Sequence, residues 1–200
     1  RNWGKYPTSH DFLHVLRVLR NASKISDSMG LNESERFLLS VASLLHDIAI
    51  PIYGVKEDHA ERSSLFAESF LSEMGFAGED IKVICVAIRE HSWSGGKAPS
   101  NQVSKILQDA DRLDALGVIG FSRMISYGEF MKRILYSEDE LIPLNRNVDD
   151  KSYTLDHVYS KLSLLPEMMN TALGRRIAEA RLKRLLHLVE SLRDEVISVT

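Results

Sequence analysis

Polar side chains of the kinds that bind metal ions interrupt three otherwise apolar stretches of the sequence. His14 lies in an amphipathic segment, His46 and Asp47 follow the apolar run 41–45, and Asp111 stands in a third region rich in leucine and isoleucine. Burying an imidazole or a carboxylate costs free energy unless the group is hydrogen-bonded, paired or bound to a metal. Imidazole and carboxylate together suit a first-row divalent metal ion. As a set, these residues indicate a metal site, although one such histidine alone is more simply a hydrogen-bonded core residue.

The elements that position these groups are helices, because apolar residues recur at three- and four-residue spacing almost everywhere. Thr8 or Ser9 is expected to cap the first helix, and Pro51 is expected to end the second at Ile50. Ser92 to Gly96 is expected to form a loop. The predicted helices cover about 9–29, 33–50, 58–74, 79–91 and 101–116, then a sixth beginning near Gly117 and Gly120, then 154–165 and 167–195.

The fold class predicted from this pattern is all-α. Residues 138–151 are polar and contain Pro143, so this stretch is expected to be a long non-helical excursion. We expect a helical core over residues 1–134 and a C-terminal helical extension over residues 135–200, packed on the same domain.

Composition and charge exclude several classes of protein. The 200 residues are 44% hydrophobic and 26% charged, and the net charge is −3, which is ordinary for a water-soluble globular chain. This balance argues against a membrane-spanning chain and gives no basic footprint for nucleic acid. The single cysteine, Cys85, cannot form an internal disulfide, and the first residues lack the apolar core of a signal peptide. We therefore expect a cytoplasmic protein, monomeric or homodimeric, without a membrane or nucleic-acid partner.

The order of the ligand-type residues, a His, a His-Asp pair and a distant Asp on helices, resembles the HD-domain superfamily of metal-dependent phosphohydrolases. The likeness extends to the stand-alone bacterial HD hydrolases of the YpgQ/YedJ-like type and covers about residues 9–184. It implies a single helical HD-domain bundle that binds one divalent metal ion, which is Mn, Fe, Ni or Mg. The implied reaction is hydrolysis of a phosphoester or phosphoanhydride bond. The implied substrate is a phosphorylated small molecule, expected to be a nucleotide. The segments that carry the likeness are 10–18, 44–48, 106–117, 123–128 and 168–171.

The resemblance implies His14, His46, Asp47 and Asp111 as the four metal ligands. His10 also precedes an aspartate, and it is interpreted as a residue at the helix start or as a support for a ligand. Asp114 is three residues after Asp111 and is expected to line the pocket and bind substrate.

Cations near such a site would offset the charge that develops on phosphoryl oxygens. Arg17 and Arg112 are expected to support catalysis without binding the metal. Lys56 and Arg62 are expected to bind substrate, and a surface ion pair is the equally weighted alternative for both.

His59 and His91 occupy the places where some HD proteins hold a second metal. We expect them to be catalytic residues that face the metal pocket and bind or protonate the phosphate, and a second metal or a structural role is the alternative. Of the two remaining histidines, His157 is a candidate to face the pocket and His187 is expected to be at the surface.

Two other functions remain open from the sequence. One is a di-iron oxygenase, since a similar series of histidines and aspartates holds two irons in one HD branch. The other is a non-catalytic helical metal-binding sensor. One metal ion per chain favours the hydrolase and two irons favour the oxygenase, whereas an untreated sample free of metal would support the sensor.

Overall fold

The computed structural model describes residues 11–54, 58–92 and 96–197. Helices dominate these ranges and no strand forms in them, apart from a single bridge between Ile134 and Tyr153. The all-α prediction is therefore confirmed. The helices are α1 Phe12–Met29, α2 Glu33–Leu45, α3 Ala49–Tyr53, α4 His59–Glu73, α5 Gly78–Glu90, α6 Gln102–Asp114, α7 Gly117–Phe130, α8 Asp156–Ser160, a 3-10 helix Leu162–Met168, and α9 Ala172–Ile197.

Two compact units make up the described chain. The first runs to Asp111 and the second begins at Arg112, so the change falls inside α6. The division expected from the sequence, at residue 134, remains a prediction about domain organisation.

The N-terminal caps explain where the first two helices begin. Asp11 caps α1, because its Oδ1 accepts a hydrogen bond of 2.8 Å from the backbone N–H of His14. The predicted caps Thr8 and Ser9 lie outside the described residues. Asn32 caps α2 and forms a reciprocal capping box with Glu35, as the sequence pattern indicates.

The predicted end of the second helix at Ile50 is wrong. Helix α2 ends at Leu45, a turn follows at residues 46–48, and α3 then passes through Pro51. Proline is tolerated there because it lies in the first turn of α3, where the backbone N–H would have no partner within the helix. The consequence is that His46 and Asp47 lie in the turn between two helices.

Packing in the first unit joins α1 with α2, α2 with α5, α3 with α4, and α4 with α5. Two buried serines tie neighbouring helices together. The hydroxyl of Ser63 accepts a hydrogen bond from the N–H of Ala49 (3.1 Å), and that of Ser64 donates to the carbonyl of Cys85 (3.0 Å). Apolar side chains that are fully buried here include Ile25, Leu39, Leu71, Ile84, Ile88, Ile106 and Leu107.

In the second unit, α7 packs against α9 and the 3-10 helix packs against α8 and α9. The excursion over 138–151 is non-helical, as predicted. The two helices predicted over 154–165 and 167–195 differ from the structure, because helix geometry breaks after Ser160 and continues as a 3-10 helix that contains Pro166. Helix α9 therefore begins only at Ala172.

One stretch, Glu33–Tyr53, is long and apolar enough by composition to cross a membrane. Half of its most apolar window is buried inside the protein, and the turn at residues 46–48 interrupts the helix. These two features are typical of a core element rather than of a membrane span.

Candidate metal centre

The first unit brings His14, His46, Asp47 and Asp111 together. The Nε2 atom of His14 lies 3.3 Å from Nε2 of His46, 3.4 Å from Oδ2 of Asp47 and 3.4 Å from Oδ1 of Asp111. Nε2 of His46 is 3.7 Å from the same Oδ2 of Asp47. Ligand atoms about 2.1 Å from one ion stand roughly 3.0–3.4 Å apart at bond angles between octahedral and tetrahedral. The spacing and chemistry of these four donors therefore fit one divalent ion.

The local structure fixes the direction in which the ring of His46 presents its nitrogen. Its Nδ1 lies 2.7 Å from the carbonyl oxygen of Ser43, and because a carbonyl can only accept, Nδ1 must carry the hydrogen. In the neutral ring, Nε2 then has a lone pair directed toward His14 and Asp47. Burial lowers the pKa of His46 to about 4, so the ring is neutral near pH 7, as a metal ligand must be.

Exposure differs across the four residues. The side chains of His14 and His46 are inaccessible to solvent, whereas that of Asp111 is 27% exposed. The centre therefore meets solvent on the side of Asp111. Burial alone would raise the pKa of Asp111, but the charges of His14, His46 and His91 outweigh it and the pKa is lowered. Its carboxylate is accordingly available as a charged ligand.

His59 and His91 lie on the other side of Asp47. Nε2 of His59 is 3.5 Å and Nε2 of His91 is 3.4 Å from Oδ1 of Asp47, whereas His14 and His46 face Oδ2. Their rings meet edge to face, with centroids 5.2 Å apart, and the rings of His46 and His91 are 5.0 Å apart. The two oxygens of one carboxylate thus face two different pairs of imidazoles.

His91 repeats the local arrangement of His46. It follows the last residue of α5, and its Nδ1 donates to the carbonyl oxygen of Ile88 at 2.6 Å. Burial by itself lowers the pKa of His91, but the hydrogen bond and charge of Asp47 outweigh burial and raise it. Donor atoms of His46, Asp47 and His91 lie within 4.8 Å of one another and form a second group able to hold a metal ion.

The remaining residues singled out in the sequence have varied placements. Arg17 is half-buried on α1, one turn after His14, and Arg62 is exposed on α4. Lys56 and His10 lie outside the described residues, as does the centre of the predicted loop at 92–96. His187 is exposed on α9, as expected.

Arg112, Asp114 and His157 belong to the second unit and have partners there. Nη1 of Arg112 donates to the carbonyl oxygen of Met168 (2.6 Å), and Asp114 pairs with Nη1 of Arg123 (2.8 Å). Nδ1 of His157 lies 3.0 Å from Oδ2 of Asp150. Burial, the largest cause, lowers the pKa of His157.

Sequence reasoning missed the groups that orient the rings of His46 and His91, namely the carbonyls of Ser43 and Ile88, and the cap that Asp11 provides at the start of α1. It also missed Gln108, a buried amide on α6. The signal for Gln108 was present, since it is a polar residue that directly follows the apolar pair Ile106 and Leu107. The carbonyls had no signal, because every residue carries one.

A four-donor centre of imidazole and carboxylate groups, set in a helical fold around a His-Asp pair, defines a class of metal-binding helical proteins. Residues 11–116 match the model of the HD domain family, which is more than half of the chain. The chain therefore belongs to the HD domain family, and the resemblance seen in its motifs is confirmed.

Individual relatives extend this likeness over nearly the whole chain. YpgQ of Bacillus subtilis is 28% identical over 192 residues, which cover 94% of this chain and 85% of YpgQ. The crystal structure of B. subtilis YpgQ in complex with ADP superposes with a TM-score of 0.74 at 26% identity, covering 96% of this chain and 92% of that one. An HD-superfamily hydrolase from Bacillus thuringiensis is 31% identical with a TM-score of 0.68, covering 98% and 90% of the two chains.

Proposed function

We propose that this protein is a metal-dependent phosphohydrolase that cleaves a phosphoester or pyrophosphate bond of a nucleotide. The observation that carries the proposal is the convergence of four buried or half-buried residues, His14, His46, Asp47 and Asp111, each with a donor atom 3.3–3.7 Å from that of at least one other. Membership of the HD family and the similarity to HD-superfamily hydrolases support the reaction class. The nucleotide is supported by the relative YpgQ, whose structure contains ADP.

His14, His46, Asp47 and Asp111 would hold one divalent metal ion. Such an ion, when bound, polarises a phosphoryl group and lowers the pKa of a water molecule so that hydroxide is available near neutral pH. The four ligand residues do not select among Mn, Fe, Ni and Mg, since a site of mixed imidazole and carboxylate donors accepts several of these ions, depending on which metal is available.

His59 and His91 are the side chains of this protein that would act in catalysis, by supplying a proton and by orienting the phosphoryl group. Both rings present Nε2 to the same oxygen of Asp47, and the Nδ1 hydrogen of His91 is held by Ile88. A protonated Nε2 at this place donates a hydrogen bond to a phosphoryl oxygen or a proton to the leaving oxygen. Arg17, one turn after His14, adds positive charge that favours an anionic substrate.

The experiment is a substrate screen with controlled metal content. The protein is stripped with a chelator, reloaded with Mn²⁺, Fe²⁺, Ni²⁺ or Mg²⁺, and offered nucleoside mono-, di- and triphosphates and simple phosphoesters. Release of phosphate and of pyrophosphate is measured separately. We expect turnover only with metal, with nucleotides preferred, and none in the Asp111→Asn variant. An Asp194→Asn variant, changed at an exposed carboxylate on α9, should behave like the wild type.

One observation favours a second candidate, a di-iron oxygenase. The two oxygens of Asp47 face separate pairs of imidazoles, which is an arrangement that could hold two ions. Metal analysis after loading with Fe²⁺ decides: one ion per chain with hydrolysis supports the phosphohydrolase, whereas two irons with oxygen consumption support the oxygenase. A third possibility is a metal-binding sensor, which would turn over none of the substrates.

The cellular setting follows from the same proposal. A cytoplasmic nucleotide hydrolase needs neither a membrane nor a nucleic-acid partner, which agrees with the net charge of −3 and the ordinary composition. Whether it acts as a monomer or a homodimer is measured by light scattering on the metal-loaded protein.

A further inference from the structure

Gln108 is a buried polar side chain on α6. It is 1% exposed and follows the fully buried Ile106 and Leu107. Burying an amide is costly unless its hydrogen-bonding groups are satisfied. Its Nε2 donates to the carbonyl oxygen of Glu90 at 2.7 Å and to that of Lys97 at 3.0 Å, so both amide hydrogens are used.

The two carbonyls are special because of where they lie in the chain. Glu90 is the last residue of α5, and the final carbonyls of a helix have no partner within the helix. Lys97 stands at the other end of the short segment that leaves α5. One amide therefore holds both ends of this segment, and the first residue of the segment is His91.

His91 is thereby fixed by two different constraints. Its ring is oriented by the hydrogen bond from Nδ1 to Ile88, which leaves Nε2 3.4 Å from Asp47. Its backbone is held through the peptide group that joins it to Glu90, whose oxygen accepts from Gln108. Without the second constraint, the ring could keep its bond to Ile88 and still move with the end of the helix.

The same helix also carries a metal-ligand candidate. Gln108 and Asp111 are three residues apart on α6, so they project from the same side of the helix. Helix α6 thus sets the place of the Asp111 carboxylate and, through Gln108, the place of His91. The spacing between these two groups is decided by one rigid element.

From this geometry we infer that Gln108 is a positioning residue for His91, holding the imidazole at the distance from Asp47 that phosphoryl transfer requires. The inference rests on the proposed hydrolase function, since it gives Gln108 a role only through a catalytic His91. A displacement of about 1 Å at a reacting group can reduce turnover by roughly a hundredfold. A substitution at Gln108 that removes its two N–H donors should therefore lower turnover, although Gln108 itself takes no part in the chemical step.

The first test is a double-mutant cycle with Gln108→Met, which has similar length and no N–H donor, and His91→Ala. In the metal-loaded protein we expect Gln108→Met to lower kcat roughly tenfold to a hundredfold, with KM changed by less than about threefold and metal content unchanged. In the His91→Ala background the same change should lower kcat by less than about twofold, because its target is gone. Equal losses in both backgrounds would overturn the positioning role.

Two controls separate positioning from general loss of stability. Ile106→Val removes one methylene from the core on the same helix and should lower the thermal midpoint without lowering kcat by more than about twofold. Gln102→Leu changes an exposed amide on α6 and should alter neither. If Gln108→Met does not fold, Gln108→Leu, which also lacks an N–H donor and introduces no charge, replaces it in the cycle.

The second test does not depend on activity. In Zn²⁺-loaded protein with ¹⁵N-labelled histidine, the Nδ1–H signals of His46 and His91 are followed by NMR. We expect Gln108→Met to shift or broaden the signal of His91 and to leave that of His46 unchanged. If the wild type hydrolyses nothing but this selective change is seen, the proposed function fails and the positioning survives. Equal changes at both histidines, or none at His91, would overturn the positioning even in an active enzyme.

Discussion

Two buried carboxylates, Asp47 in the first unit and Asp156 in the second, are surrounded in opposite ways. Asp156 accepts hydrogen bonds of 2.6 and 2.7 Å from both Nη atoms of Arg146 and another of 2.7 Å from the N–H of Asp149. Asp47 faces imidazole nitrogens of four histidines at 3.4–3.7 Å. The short, charge-assisted hydrogen bonds of Asp156 to arginine are typical of a structural ion pair. The longer distances from Asp47 to imidazole nitrogens are typical of groups that bind the same cation.

The difference also concerns the kind of partner. Arginine remains charged at all relevant pH values and can donate two parallel hydrogen bonds to a carboxylate. The pair of Arg146 with Asp156 therefore holds the non-helical excursion over 138–151 in place. Imidazoles that are neutral near pH 7, such as His46, offer lone pairs but little charge. The first arrangement stabilises the fold without further components, and the second is completed by a bound ion. The predictions below test this contrast by changing each kind of residue in turn.

The largest effect is expected at Asp111. Asp111→Ala removes one of four ligands, so we expect metal content near zero and hydrolysis below detection. Chelation should lower the thermal midpoint of the wild type by roughly 5–10 °C, since a ligand at a hundred times its Kd adds about 2.7 kcal/mol to the stability of a chain of this size. The variant should show no such dependence. Metal analysis and thermal unfolding measure both effects, and full metal occupancy in Asp111→Ala would contradict the ligand assignment.

A smaller loss of activity is expected from His59 and His91. Changing both to Ala should leave one metal bound and lower turnover by roughly a hundredfold or more, the range expected for a lost acid–base group. The control is His187→Ala, which changes an exposed histidine on α9. Measurement of metal per chain is decisive: two ions in the wild type and one in the double variant would assign this pair to metal binding instead.

At Asp156 the effect should fall on stability alone. Asp156→Asn leaves the Arg146 guanidinium without its charged partner, and we expect a loss of about 3 kcal/mol of unfolding free energy, seen as a lower thermal midpoint. Metal content and kcat per folded molecule should be unchanged. Asp139→Asn, at an exposed position of the same excursion, is the matched control. Loss of metal in the Asp156 variant would show that the two carboxylates are not distinct in role.

The smallest effect is expected for Arg112, which directly follows Asp111 but has a carbonyl partner. Arg112→Lys should weaken the bond to the oxygen of Met168 and lower stability by about 1–2 kcal/mol, with the metal retained. Arg184→Lys, at an exposed position on α9, should have no measurable effect. If Arg112→Lys loses metal while its thermal midpoint is unchanged, Arg112 acts on the metal centre rather than on the second unit.

The helices and the identity of the four ligand candidates follow largely from the sequence. Three- and four-residue spacing, the capping box at Asn32 and the glycine at position 30 locate helices without reference to tertiary contacts. The predicted boundaries were wrong in two regions for local reasons: Pro51 is accepted in a first helical turn, and the chain around Pro166 adopts 3-10 geometry. Both depend on where a neighbouring helix begins, which spacing alone does not give.

Only the tertiary structure decided which side chains meet. Periodicity assigns a residue to one face of its helix, but not to the partner that this face contacts, because the packing of helices depends on side chains distant in the chain. The sequence therefore placed His14, His46, Asp47 and Asp111 in order, and the fold brought a donor atom of each to within 3.7 Å of a donor atom of another. The division of Asp47 between two pairs of imidazoles, and the double hydrogen bond of Gln108, have no counterpart in the one-dimensional pattern, since each joins residues from separate parts of the chain.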